Sequence, residues 1–71
     1  MAKDDLIQVR GTITAVWPGG DFTVRSDLGH DIRAKLSGRI RRNYIRVVLG
    51  DRVTVGVSPY DPTRGLILYR D

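Results

Sequence analysis

A closed, all-β barrel with one short helical insert is the architecture this 71-residue chain encodes. Three observations point there. Five segments alternate apolar and polar side chains with the period of a strand. One segment, between the third and fourth of these, switches to helical spacing. The chain is also short and has no cysteine to staple a small core, so its sheet must close on itself and leave no open edge. A globule of this length has a radius of gyration of roughly 11 Å, too small to engulf a cofactor.

Residues 1–5 form a short, flexible polar tail, and residues 6–71 form a single domain. From Leu6 the period is two. Ile7, Val9, Ile13 and Ala15 share one face, and Gln8, Arg10, Thr12 and Thr14 share the other. Gly11 interrupts the apolar face and predicts a bulge or sharp coil at that point. Trp17 continues the inward face and is expected to cap the barrel. The stretch Trp17-Pro18-Gly19-Gly20-Asp21 reads as a turn. Phe22 and Val24 then alternate with Thr23 and Arg25. After a second turn at Asp27-Leu28-Gly29-His30, Ile32, Ala34 and Leu36 alternate with Asp31, Arg33 and Lys35. Strands two and three therefore make a hairpin with Arg25, Arg33 and Lys35 facing outward.

The period changes at Ser37-Gly38. Over residues 39–48, Ile40, Tyr44, Val47 and Val48 fall at helical spacing, Ser37 is placed to cap the helix, and Gly50-Asp51 ends it. Val53, Val55 and Val57 point in and Arg52, Thr54 and Ser58 point out along strand four. Residues 59–65, with two prolines, read as a loop, and residues 66–70 as strand five. Three strands, a helix and two strands is the order of the OB-fold, a five-stranded Greek-key barrel. An SH3-like barrel shares the strand count but usually lacks the helix.

Catalytic equipment is sparse. There is no glutamate or cysteine, a single histidine, and no glycine pattern of the phosphate-loop or dinucleotide type. Asp21, Asp27, Asp51 and Asp61 adjoin Gly, Pro or strand ends, the positions of turn and cap residues. No enzymatic activity, cofactor or metal is expected. Without an apolar run near the ~20 residues of a membrane span, and without an apolar leader, the chain reads as a soluble cytoplasmic or organelle-matrix protein away from membranes, and as a monomer, since nothing in it calls for an oligomer.

Charge is the positive signal. Twelve Lys and Arg oppose eight acids, for a net charge of +4; all the acids are aspartate, and all the bases except Lys3 and Lys35 are arginine. Arg33, Lys35, Arg39, Arg41, Arg42 and Arg46 follow one another with no acid between them. A solvated face is the ordinary explanation of such a run. Its lack of compensating acids, and its place beside the strand two–three face where OB-folds hold oligonucleotides, favour a nucleic-acid footprint. Of the aromatics, Phe22 and Tyr69 read as core, while Tyr44 and Tyr60 fit either core or surface. Stacking is therefore not the main device, and arginine-bearing loops on folded RNA fit better. A general single-stranded RNA-binding protein or RNA chaperone of the cold-shock type is the alternative, and a barrel that meets an acidic protein is a third reading. His30 reads first as a turn residue with a surface hydrogen bond.

The same residues resemble bacterial-type translation initiation factor one from end to end. The resemblance is carried by Met1-Ala2-Lys3-Asp4-Asp5, Gly11-Thr12, Phe22-Thr23-Val24 and Gly29-His30. It continues through Ser37-Gly38-Arg39-Ile40-Arg41-Arg42-Asn43-Tyr44-Ile45-Arg46, Gly50-Asp51-Arg52-Val53-Thr54-Val55, Pro59-Tyr60-Asp61-Pro62-Thr63-Arg64-Gly65 and Arg70. It implies a single OB-fold that binds small-subunit ribosomal RNA and one ribosomal protein at the aminoacyl-tRNA decoding site. It also implies displacement of two stacked adenines there, a block to premature elongator tRNA entry, and cooperation with the GTP-binding initiation factor and the third factor. By position, Arg39, Arg41, Arg42, Asn43, Tyr44, Arg46, Arg64 and Arg70 correspond to rRNA-facing residues, with Lys3, His30, Arg33 and Lys35 as secondary candidates. Leu66 departs from the pattern, since many members carry a second basic residue there, which implies less phosphate contact from the last strand.

Overall fold

The computed structural model describes residues 6–38, 40 and 46–71. The predicted tail, residues 1–5, lies outside them. Five strands follow in chain order: β1 (Ile7–Trp17), β2 (Asp21–Ser26), β3 (Asp31–Leu36), β4 (Arg52–Ser58) and β5 (Asp61–Arg70). They close into a barrel in the order β1-β2-β3-β5-β4, with β4 returning to β1. Only β3 and β5 pair in parallel. This is the predicted OB-type topology, with a radius of gyration of 10.9 Å.

β1 is long enough to serve two neighbours. Residues 7–12 pair with β4, and residues 11–17 pair with β2. Gly11 lies where the two ladders overlap. A Cβ there would stand 2.5 Å from the Arg25 carbonyl oxygen and 2.6 Å from Val24 Cγ1, so the glycine serves close approach and not the predicted bulge. The bulge falls later. Ile13 pairs with Val24 and Ala15 with Thr23, which leaves Thr14 without a partner on β2.

That extra residue reverses the predicted facing of the end of β1, because the side-chain period of a strand is two. Trp17 pairs with Asp21, one step out of phase with the buried Phe22. It is 46% exposed and stands on the outer wall instead of capping the barrel. Tyr69 is corrected in the same way. Val55 pairs with Ile67 but Thr54 with Tyr69, so Leu68 is the extra residue. Ile67 is buried and Tyr69 is 44% exposed.

β2, β3 and β4 bury the apolar residues that their alternation predicts: Phe22, Val24, Ile32, Ala34, Val53, Val55 and Val57. Ile13 and Ile67 join them from β1 and β5, and Ile40 and Val47 from the connection between β3 and β4. Ser37 Oγ accepts the Ile40 N–H at 3.4 Å, the N-cap geometry expected of it. Gly38 and Ile40 have helical backbone, but residues 46–48 do not, so the predicted helix stops short of Val48, which is exposed. Arg39 and residues 41–45, the middle of that helix, lie outside the described residues. Thr54, expected to face solvent, is buried beside its partner Tyr69.

The predicted loop over residues 59–65 shrinks to the turn Pro59-Tyr60, because Ser58 already pairs with Asp61. Residues 62–64 then leave the β4 ladder, which resumes at Val57 and Gly65. Pro62 has no N–H to give that ladder. The excursion carries Arg64 across to β3, where it pairs with Arg33.

Candidate nucleic-acid interface

On the outer wall, two rows of residues cross the strands. One runs Thr23, Arg33, Arg64; the next runs Trp17, Asp21, Lys35, Leu66. Neighbouring strands lie about 4.8 Å apart, and same-face residues along a strand about 6.8 Å apart. Arg33, Lys35 and Arg64 therefore converge, and with Asp21, Gly65 and Leu66 they line a shallow depression of about 430 Å³. Asp21 is the only acid among the lining residues, and its buried Oδ1 accepts no hydrogen bond from the described residues.

At the edge of this depression the Trp17 indole is held in place. Its Nε1–H donates to Thr23 Oγ1 at 2.8 Å. The Arg33 guanidinium carbon lies 5.5 Å from the ring centroid, within cation–π range. The turn Pro18-Gly19-Gly20 makes this possible, since Gly19 and Gly20 take φ values of 88° and 87° that side chains with a Cβ rarely adopt.

Three other arginines of the barrel are paired with aspartates. Arg52 grips Asp27 with two bonds, Nη1 to Oδ1 at 2.7 Å and Nη2 to Oδ2 at 2.8 Å. Arg10 meets Asp71 at 3.4 Å and Arg25 meets Asp31 at 3.6 Å. The hydrogen bonds from Arg52 hold the Asp27 carboxyl below the usual carboxylate range, and Asp27 raises Arg52 in return. Asp61 is also held low, first by the Thr63 hydroxyl donating at 2.6 Å. Among the described residues, Arg33, Lys35 and Arg64 form no ion pair.

Of the residues singled out in the sequence, Lys3, Arg39, Arg41, Arg42, Asn43 and Tyr44 lie outside the described residues. Arg33, Lys35 and Arg64 come together. Arg46 and Arg70 form a second group, in which Arg70 Nη1 donates to the Arg46 carbonyl at 2.7 Å, so the end of β5 braces the segment that carries Arg46. His30 closes the β2–β3 turn through its backbone: its N–H donates to Ser26 Oγ at 3.1 Å and its carbonyl accepts the Ser26 N–H at 2.7 Å. The cation–π contact of Arg33 with Trp17 is not foreseen by the sequence reading. It depends on the bulge in β1, which brings Trp17 opposite Asp21 and onto the same outer face as Arg33.

A five-stranded barrel of this topology, with an outer wall of unpaired cations, defines an RNA-binding domain of the OB class. The family model for translation initiation factor 1A / IF-1 matches residues 1–71. The solution structure of the translation initiation factor IF-1 from the Wolbachia endosymbiont (strain TRS) of Brugia malayi is 39% identical. It superposes with a TM-score of 0.82, over 97% of this chain and 82% of that one. The crystal structure of YjeQ from Thermotoga maritima is 26% identical, with a TM-score of 0.73 over 92% of this chain but 23% of that one, so the likeness there is to one segment of a longer protein. The chain belongs to the translation initiation factor 1A / IF-1 family, and its role is in the initiation of protein biosynthesis. No helix among the described residues is long and apolar enough to cross a membrane.

Proposed function

We propose that this protein binds the small ribosomal subunit at the aminoacyl-tRNA decoding site through small-subunit rRNA. There it blocks premature entry of elongator tRNA, assists the GTP-binding and third initiation factors, and touches one ribosomal protein. The protein acts as a monomer in the cytoplasm, by binding and not by catalysis. The observation that carries the reading is the cluster of Arg33, Lys35 and Arg64, which form no ion pair among the described residues, on a barrel whose family is one of initiation factors.

The mechanism is electrostatic docking of a preformed surface. A-form RNA shows a wide, shallow minor groove and lines of phosphates, which side chains on a closed barrel meet by shape. Each guanidinium that reaches a phosphate releases counterions. With three to six such contacts, the log–log dependence of affinity on salt has a slope of roughly −2 to −5. Displacing a stacked base costs a few kcal/mol, offset by contacts to the extruded form. Arg41 and Arg46 are assigned that task, and Arg70 supports it by fixing the Arg46 backbone.

Arg41→Ala and Arg46→Ala should each weaken binding to purified small subunits by about 1–3 kcal/mol with the thermal transition unchanged. Wild-type affinity in both variants, by sedimentation with subunits, would remove these residues from the interface. Equal affinity for an unstructured oligonucleotide and for the subunit would favour a general single-strand binder.

A further inference from the structure

We infer that Trp17 and Arg33 form a stacking seat for one unpaired RNA base, with Lys35 and Arg64 holding the flanking phosphates. This deepens the RNA-binding reading above and rests on it.

Three features of the wall lead there. The indole is half-exposed on a β-strand surface, and its ring nitrogen is tied to Thr23, so its orientation is set before any ligand arrives. Arg33 already lies over the ring at cation–π distance, and an indole and a guanidinium side by side are the two kinds of group on which an unpaired base settles. Arg33 pairs with Arg64 across the sheet, and Lys35, one row further along β3, lies diagonally from Arg64, with their backbones about 7–8 Å apart. That is close to the distance between successive phosphates on an extended strand.

The charge fits a polyanion. Three cations and one acid, Asp21, line the depression, which leaves it net positive. The stack fits a base with an open face. Bases inside a duplex have both faces covered by their neighbours, so the ligand is a nucleotide in a loop, bulge or single strand. A seat of this kind holds one base beside docked phosphates and gives folded RNA with an unpaired nucleotide an advantage over an uninterrupted helix.

Trp17 is the only tryptophan of the chain, so its emission reports this place alone. The full chain is titrated with an RNA hairpin that has unpaired purines in its loop, with a blunt duplex of equal length, and with an acidic peptide of equal charge. The hairpin should quench Trp17 saturably and bind roughly five- to tenfold more tightly than the duplex. Followed by the anisotropy of end-labelled RNA, since neither variant retains a tryptophan, Trp17→Leu should lose that margin while Trp17→Phe keeps most of it. Three results would overturn the seat: equal quenching by hairpin and duplex, quenching by the peptide as strong as by RNA, or no quenching at all. The wild-type titration stands even if a variant fails to fold. Sedimentation with small subunits, run in parallel, separates the two readings. Subunit binding with unmoved Trp17 emission sinks the seat alone, and hairpin quenching without subunit binding sinks the ribosomal reading alone.

Discussion

The barrel treats its arginines in two opposite ways. Toward β1, β4 and the far end of the β2–β3 hairpin, Arg10, Arg25 and Arg52 each face an aspartate. On the wall of β3 and β5, Arg33, Lys35 and Arg64 form no ion pair within 4 Å among the described residues; Asp21, the acid lining their depression, pairs with no described cation, and Asp61 meets Arg64 only through longer-range attraction. In the paired half the charges act as clips. Arg52 joins β4 to the turn after β2, and Arg10 ties β1 to the chain's last residue. In the open half like charges crowd together, which opposes compactness and keeps a field directed at solvent. An arginine count does not tell these roles apart; only the position of the nearest carboxylate does.

The largest effect should come from erasing the open half. Arg33→Ala, Lys35→Ala and Arg64→Ala combined should weaken RNA binding by about 3 kcal/mol and flatten the salt slope by about three, while the thermal transition stays or rises as repulsion is relieved. A salt series of filter-binding curves reads both values. Next is a steric break in the paired half. Gly11→Ala forces a methyl against the Arg25 carbonyl and Val24, and over-packing of this kind costs about 1–3 kcal/mol of stability, measured by urea denaturation. RNA affinity of the folded fraction should not change.

The smallest effect is the loss of a clip. Arg52→Ala should lower the melting temperature slightly and leave RNA binding alone. It should also alter the response to acid. The Asp27 carboxyl is held below its ordinary value in the folded barrel, so its contribution is full above about pH 4 and is lost as pH falls through the lowered value. Asp61 behaves alike through Thr63. Melting curves between about pH 2 and pH 6 should show wild type losing stability at the acid end, and Arg52→Ala losing less.

Most of the barrel is legible in periodicity. Alternation places Phe22, Val24, Ile32, Ala34, Val53, Val55 and Val57 inside, because in a closed sheet one face of every strand is core. The failures at Trp17 and Tyr69 share one cause. A bulge shifts parity by a single residue, and nothing in Thr14 or Leu68 themselves announces it, since bulges arise from how a strand must bend to meet its neighbours. The extent of β5 escapes sequence reasoning because prolines signal a loop, whereas Pro62 stands where the strand changes partners. Of the site, Arg33, Lys35 and Arg64 are visible as residues, but their convergence is not. Two are close in sequence on β3, and the third arrives from β5 through the one parallel pairing in the barrel.

Thr14 has a consequence out of proportion to its chemistry. Everything between it and the following hairpin runs half a cycle behind everything before it. A chain that differed only in lacking that one residue would turn its indole inward and offer RNA a bare patch of backbone in its place. What the protein shows the outside world at this corner is decided by counting, not by which amino acids are present.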